Sequence, residues 1–181
     1  MSEHGFTLLE VLVATAVLAV VLLGAGLFYA SAVRFDKENS AQAFLQRQGT
    51  IIKDEMARQI QAGSLASLGT GCGGGSATTS LRVTQQPSGD VYCFHQDGTG
   101  TGLLEDRPGG GQWNLLSGSL ATLSTTTGPC PGQGGFCPVL VQDGSGNTAG
   151  VVITFRLRFQ IPERDGYQTM TFTTTITPRN P

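Results

Sequence analysis

The feature that most restricts this chain is a run of about 23 residues, Val11 to Val33, that contains no charged side chain. At about 1.5 Å per residue, a helix of that length reaches across a hydrocarbon core of roughly 30 Å. The run therefore reads as a membrane segment. It is preceded by Gly5-Phe6-Thr7-Leu8-Leu9-Glu10, and the leader Met1-Ser2-Glu3-His4-Gly5 holds no Lys or Arg. Glu10 stands at the mouth of the run, where an uncompensated carboxylate in lipid costs on the order of 3 kcal/mol. A compensating partner is expected.

Two ordinary readings account for less of the segment. A secretory signal peptide has a basic start, an apolar core of about 7–15 residues and a small-residue cleavage site. Ala30-Ser31-Ala32 supplies the last of these, but the start is not basic, the core is longer and an acid lies within it. A plain anchor leaves the short neutral leader and Glu10 without a role.

Gly5-Phe6-Thr7-Leu8-Leu9-Glu10-Val11-Leu12-Val13-Ala14 resembles the cleavage and methylation motif of type IV pilins, minor pilins and type II secretion pseudopilins. The resemblance implies that a prepilin peptidase cuts between Gly5 and Phe6 on the cytoplasmic side and that the new Phe6 amine is N-methylated. It also implies that Glu10 serves assembly, by meeting the Phe6 ammonium of a neighbouring subunit in a bundle of such helices. A pair about 4 Å apart at an effective dielectric near 20 gains roughly 4 kcal/mol, enough to offset the cost of the acid in lipid. The neutral leader departs from the basic one usual in the family, so charge gives orientation little support.

The 181 residues leave room for one globular domain beyond the helix. Only 13% of residues are charged, the formal net charge is −2 and 26 residues are Gly, a makeup that suits a loop-rich β domain outside the cytoplasm. Past Cys72, Arg82, Arg107, Arg156, Arg158, Arg164 and Arg179 face Asp90, Asp97, Glu105, Asp106, Asp143, Glu163 and Asp165. That balance provides no basic footprint for DNA. The four cysteines, Cys72, Cys93, Cys130 and Cys137, suit an oxidising compartment, and their spacing is not that of a zinc site.

From Arg34 to Ala62 the chain lacks proline, and Ala41, Phe44, Leu45, Ile51, Ile52, Met56 and Ile60 recur near helical spacing. The helix is thus expected to continue out of the membrane, about 85 Å in all from Phe6 to Ala62, and to stop at Gly63. Gly24 and Gly26 mark its membrane half either for close packing or for local melting. The stretch from Gly63 to Ala77 reads as a Gly/Ser-rich connection, and it lacks the Lys-Ser/Thr ending of a phosphate loop.

Short strands are expected next. Ser80 to Gln85 and Val91 to Gln96 flank a turn at Gln86-Pro87-Ser88-Gly89-Asp90, and Thr101 to Asp106 and Trp113 to Leu116 flank the Gly109-Gly110-Gly111 turn. The clearest β pattern closes the chain. Val151, Ile153, Phe155, Leu157, Phe159 and Ile161 alternate with polar residues, and Tyr167 to Thr177 answers with Met170, Phe172 and Ile176 on one side and threonines on the other. This hairpin is expected at the centre of the sheet that receives the helix. Four cysteines allow three connectivities; the favoured one joins Cys72 to Cys93, tying the connection to a strand, and Cys130 to Cys137 across a short loop rich in Gly and Pro.

Gly89-Asp90-Val91-Tyr92-Cys93-Phe94, the closing hairpin and Thr177-Pro178-Arg179-Asn180 look like the PilW/PulJ-type minor pilin or pseudopilin domain. The resemblance implies an α+β, pilin-like fold in which a long N-terminal α-helix packs on an antiparallel β-sheet with disulfide-tied loops. It divides the chain into a leader at 1–5, a membrane and assembly helix at 6–33, its amphipathic continuation at 34–62 and a β-rich head at 63–181.

No catalytic constellation is present in the sequence. His95 beside Asp97 reads as a polar surface residue, no serine sits in a nucleophile elbow, and Glu105-Asp106 on a strand point to opposite faces. Asp143-Gly144-Ser145-Gly146-Asn147 lacks the distal Glu of a calcium-binding EF-hand and reads as a turn. Arg156 and Arg158 are the one pair placed to touch a ligand such as DNA phosphates, or a neighbouring subunit.

These readings converge on a non-enzymatic filament subunit without cofactor or metal. It would be stored in the inner membrane with its head in the periplasm, and it would reach the cell surface or stay in the periplasm once assembled. Its expected partners are other pilins, the prepilin peptidase, the inner-membrane assembly platform and lipid. The alternative is a tip subunit that captures DNA or a surface, although net charge lends DNA no support.

Overall fold

A computed structural model describes residues 7–67, 72, 79–85, 87–116, 121–124, 135–161 and 166–178, with the backbone alone for 64–67. The chain forms two compact units, residues 1–40 and 41–181. The helix α1, Leu8–Ala62, is a single 55-residue element. It holds no proline and runs unbroken through Gly24 and Gly26. It ends where Gly63 enters a strand: a Cβ at that position would lie 2.7 Å from Val83 Cγ1, so only glycine makes the approach without displacing β2.

Among the described residues nine strands follow: β1 (Gly63–Ser67), β2 (Ser80–Gln85), β3 (Val91–Gln96), β4 (Leu103–Arg107), β5 (Gly111–Asn114), β6 (Ala121–Leu123), β7 (Phe136–Gln142), β8 (Thr148–Gln160) and β9 (Tyr167–Ile176). They build two antiparallel sheets where one was expected. The first is a meander in the order β1-β2-β3-β4-β5. Its β4–β5 turn places Pro108 and Gly109 between Arg107 and Gly110, with Gly110 N–H donating to the Arg107 carbonyl at 3.2 Å and Gly109 at φ 89°. Proline followed by a positive-φ glycine is the signature of a type II turn.

The second sheet is organised by β8. It pairs along one edge with β9, and along the other with β7 over its first part and β6 over its last. Arg156 marks the junction, its N–H donating to the Gly135 carbonyl at 2.8 Å while its carbonyl accepts from Ser124 N–H at 2.9 Å. The closing hairpin is therefore not central as a unit: β8 is central and β9 is an edge. β1 and β7 were not expected either. Gly63-Ser64-Leu65-Ala66-Ser67 has weak strand propensity, and its extended form comes from pairing with β2.

In the second unit, α1 packs the stripe Ala41, Leu45, Gly49, Ile52, Met56, Gln59 and Ile60 into the core. These meet Phe94, Phe136 and Phe155, all fully buried, together with Leu81, Val83, Leu103, Leu123, Ile153 and Leu157. Each such side chain contributes about 1.5–3 kcal/mol by leaving water. Ile51, expected in the stripe, is 48% exposed, because it lies two residues, about 200° of helix, beyond Gly49. Gly49 itself is where the phenyl ring of Phe172 meets the helix: a Cβ there would stand 2.2 Å from the ring. That ring is stacked on Phe155 at 5.1 Å between centroids, and Phe44 packs on Phe159 at 5.3 Å.

Candidate functional site

The site lies at the start of α1. Gly5 and Phe6, the expected cleavage and methylation residues, fall outside the described residues. Thr7 immediately precedes the helix and caps it. Its Oγ1 accepts from Glu10 N–H at 3.3 Å, and its carbonyl accepts from the N–H groups of Glu10 and Val11 at 3.0 and 3.3 Å. Thr7-Leu8-Leu9-Glu10 is a capping-box sequence, with the hydroxyl at the N-cap and the acid at N3. Glu10 thus sits in the first turn, where the unsatisfied N–H groups of the helix favour negative charge. The sequence reading gave Thr7 no role, although the T-x-x-E spacing ahead of an apolar run is a signal for it.

Beyond Glu10, α1 presents Leu12, Val17, Leu18, Val21, Leu22 and Leu23 outward, each more than half exposed. The helix is long and apolar enough to cross a membrane, and 0% of its most apolar window is buried within the chain. A core helix of a globular protein would be covered. Two hydroxyls inside the run are satisfied without water: Thr15 Oγ1 donates to the Leu12 carbonyl at 2.9 Å and Ser31 Oγ to the Phe28 carbonyl at 2.8 Å. Such internal bonds remove the cost of a polar group in hydrocarbon.

The head unit holds the remaining candidates. Cys72 and Cys93 form a disulfide with Cα atoms 5.4 Å apart. Cys137 is also disulfide-bonded; Cys130 lies outside the described residues. Arg156 and Arg158 stand on the outer face of β8, where Arg156 Nε donates to Thr171 Oγ1 and Arg158 Nε to Thr122 Oγ1, both at 2.9 Å. The Arg158 guanidinium also lies 5.0 Å from the centre of the Tyr167 ring.

Asp143 closes a turn. Its Oδ1 accepts from the N–H groups of Ser145 and Asn147 at 2.8 and 2.9 Å, and these bonds hold its carboxyl below the usual carboxylate range. Asp97 does the same in Asp97-Gly98-Thr99-Gly100-Thr101, accepting from Thr99 N–H at 3.1 Å, Thr99 Oγ1 at 2.8 Å and Thr101 N–H at 3.0 Å. Burial pushes the Asp97 carboxyl up, but hydrogen bonds from Gly102, Thr99 and Thr101 outweigh it and its pKa is lowered. Among the described residues no group of three or more His, Cys, Asp or Glu could hold a metal ion.

The sequence reading missed the charged contacts inside the head. Glu105 on β4 is fully buried and accepts from Arg107 Nε and Nη2 at 3.1 and 3.0 Å; Arg107 Nη2 also donates to Glu55 Oε1 on α1 at 3.1 Å. The same guanidinium covers the Trp113 ring at 4.1 Å. Glu55 further pairs with Arg58 and Gln59, and Gln59 Oε1 accepts from Gln85 Nε2 at 2.6 Å. This network pins the helix to β2 and β4. On the opposite face of this sheet, His95 of β3 is 2% exposed rather than on the surface, and its partner is Asp106 of β4, not Asp97. Its Nε2 lies 3.0 Å from Asp106 Oδ2 and its Nδ1 2.9 Å from the Gln96 carbonyl. Glu55, Glu105, Arg107 and Asp106 are thus engaged in holding the fold.

No curated protein and no solved structure matches the chain. A family model does match: the prokaryotic N-terminal methylation motif, over residues 1–26. This span takes in the sequence through Glu10, the Thr7 cap and the first part of the exposed apolar helix. The chain therefore carries, at its N-terminus, the prepilin motif of type IV pilin-like proteins.

Proposed function

We propose that the chain is a structural subunit, a minor pilin or pseudopilin, of a type IV pilus or a type II secretion-like filament. The observation that carries this reading is the continuity of the methylation motif at 1–26 with an apolar helix that none of the described residues covers. Such a helix needs lipid before assembly and other helices afterwards. Cleavage follows Gly5, the Phe6 amine is methylated, and Glu10 sets register by pairing with that amine on a neighbour. The anchor lies in the inner membrane and the head is periplasmic, where its disulfides form. A reading of the head as a DNA-capturing tip gains no separate support from Arg156 and Arg158, whose Nε atoms are engaged by Thr171 and Thr122.

The test is the intact mass and N-terminal sequence of the protein purified from membranes of cells that contain its own peptidase. The expected product starts at N-methylated Phe6, and Glu10→Val leaves that product unchanged while removing the chain from filaments. A product that starts after Ala32 would mean secretion without an anchor and would sink the proposal.

A further inference from the structure

Polar groups do not enter α1 evenly where its apolar run ends. At about 100° per residue, Glu10, Phe28 and Phe35 fall within about 20° of one another on one stripe of the helix. Phe35 lies beyond Arg34, the first charged residue after the run, yet Phe28 and Phe35 are each more than half exposed. Ser31, between them near the same stripe, gives its hydroxyl to the Phe28 carbonyl at 2.8 Å, so it can lie in lipid without water.

Elsewhere the helix surface turns polar sooner. Tyr29 and Asp36 share a stripe about 100–120° round from Phe35, and Lys37 stands about 200° round, on the opposite side. The apolar surface is therefore longest along the side of Phe28 and Phe35. There it is continuous with Val17 and Val21, exposed on the same side within the membrane run.

We infer that, before assembly, α1 rests in the bilayer at a set tilt and rotation, with the stripe of Glu10, Phe28 and Phe35 turned toward the side of the membrane on which Glu10 lies. One tilt suits both ends. At the far end it presses the Phe35 ring into the acyl chains, while Lys37 turns to the water and Tyr29, on the flank, keeps its hydroxyl within reach of the headgroups. Arg34, exposed beside Phe35, extends to the lipid phosphates. At the near end the same rotation turns Glu10 out of the hydrocarbon, so its carboxylate keeps its hydration until a neighbouring subunit arrives. The partner of this stripe is thus the lipid surface, by continuity with the lipid-facing run and by the charge of Arg34. The inference rests on the membrane anchor of the proposed function and not on the filament.

The test uses the full chain in vesicles of phosphatidylcholine and phosphatidylglycerol, at a high ratio of lipid to protein and recovered by flotation. Ala30→Trp and Phe35→Trp, on opposite sides of α1, are each made with Trp113→Phe, which removes the only tryptophan. Their depths are read by quenching from lipids brominated at shallow and deep positions and from iodide in the water. An upright helix sets positions 30 and 35 about 7–8 Å apart in depth. On a cylinder about 10–12 Å across, a tilt of about 20–40° should cut that separation to half or less, with the shallow bromines quenching both. The full upright separation overturns the inference, as does an indole at position 35 that iodide reaches and lipid does not. An indole there shielded from both is held against protein, and overturns it too. Should Trp113→Phe disturb the head, the same two substitutions in the Trp113 chain, read against the parent, decide. A chain that does not float with the vesicles refutes the anchor itself and the inference with it, whereas a floating chain with an upright helix refutes the inference alone.

Discussion

At the scale of single residues, Gly49 and Glu55 govern how α1 meets the head. Alanine in place of Gly49 would improve helix propensity by about 1 kcal/mol, but its methyl group would enter the space of the Phe172 ring, which the stack on Phe155 holds in place. Overpacking of this kind costs about 1–3 kcal/mol, so Gly49→Ala should lower the melting temperature, and Phe172→Leu in the same chain should recover part of the loss. Burial pushes the Glu55 carboxyl up, yet hydrogen bonds from Arg58 and Gln59 and the charges of Arg58 and Arg107 outweigh it, and its pKa is lowered. The stability this lends is present above the unfolded carboxylate value of about 4.3 and is withdrawn as pH falls through the lower folded value. Denaturant midpoints of the wild type and Glu55→Gln should therefore differ at pH 7 and converge in acid. Neither role was legible in the sequence. A glycine in a helix does not announce which ring it faces, and the partners of Glu55 include Arg107, 52 positions away.

At the scale of elements, legibility followed local pattern. β2 and β3 were readable to the residue because a Pro-Ser-Gly-Asp turn separates two β-rich runs, and β8 because its alternation spans the strand. β1 and β7 were not, because their extended form is imposed by the neighbours they pair with and not by their own composition. The pairing of Cys72 with Cys93 was legible because one cysteine lies in a connection and the other on the adjacent strand. It closes a separation of 21 residues, which in the chain-entropy account stabilises the head by about 3 kcal/mol. Cys72→Ala with Cys93→Ala should lose roughly that amount in chemical denaturation, with β3 amides among those whose exchange quickens most.

At the scale of the molecule, the sequence made the division of labour visible: an anchor that must find its own apolar surroundings and a head that covers itself. One apolar run with an acid at its mouth is a global constraint that no rearrangement of the head can hide. How the head distributes its strands between two sheets was not visible, since that choice rests on long-range register and on the backbone junction at Arg156. The twin turns at Asp97 and Asp143 bear on how the head ages. Both begin with Asp-Gly, the aspartyl dipeptide most prone to close into a succinimide and rearrange to isoaspartate. That reaction needs the aspartyl carboxyl to turn back towards the following glycine nitrogen, and it proceeds best from the neutral acid. In both turns, backbone N–H groups further along the loop hold the carboxylate forward and keep it ionised. The bonds that shape the loops thereby also slow their chemical decay.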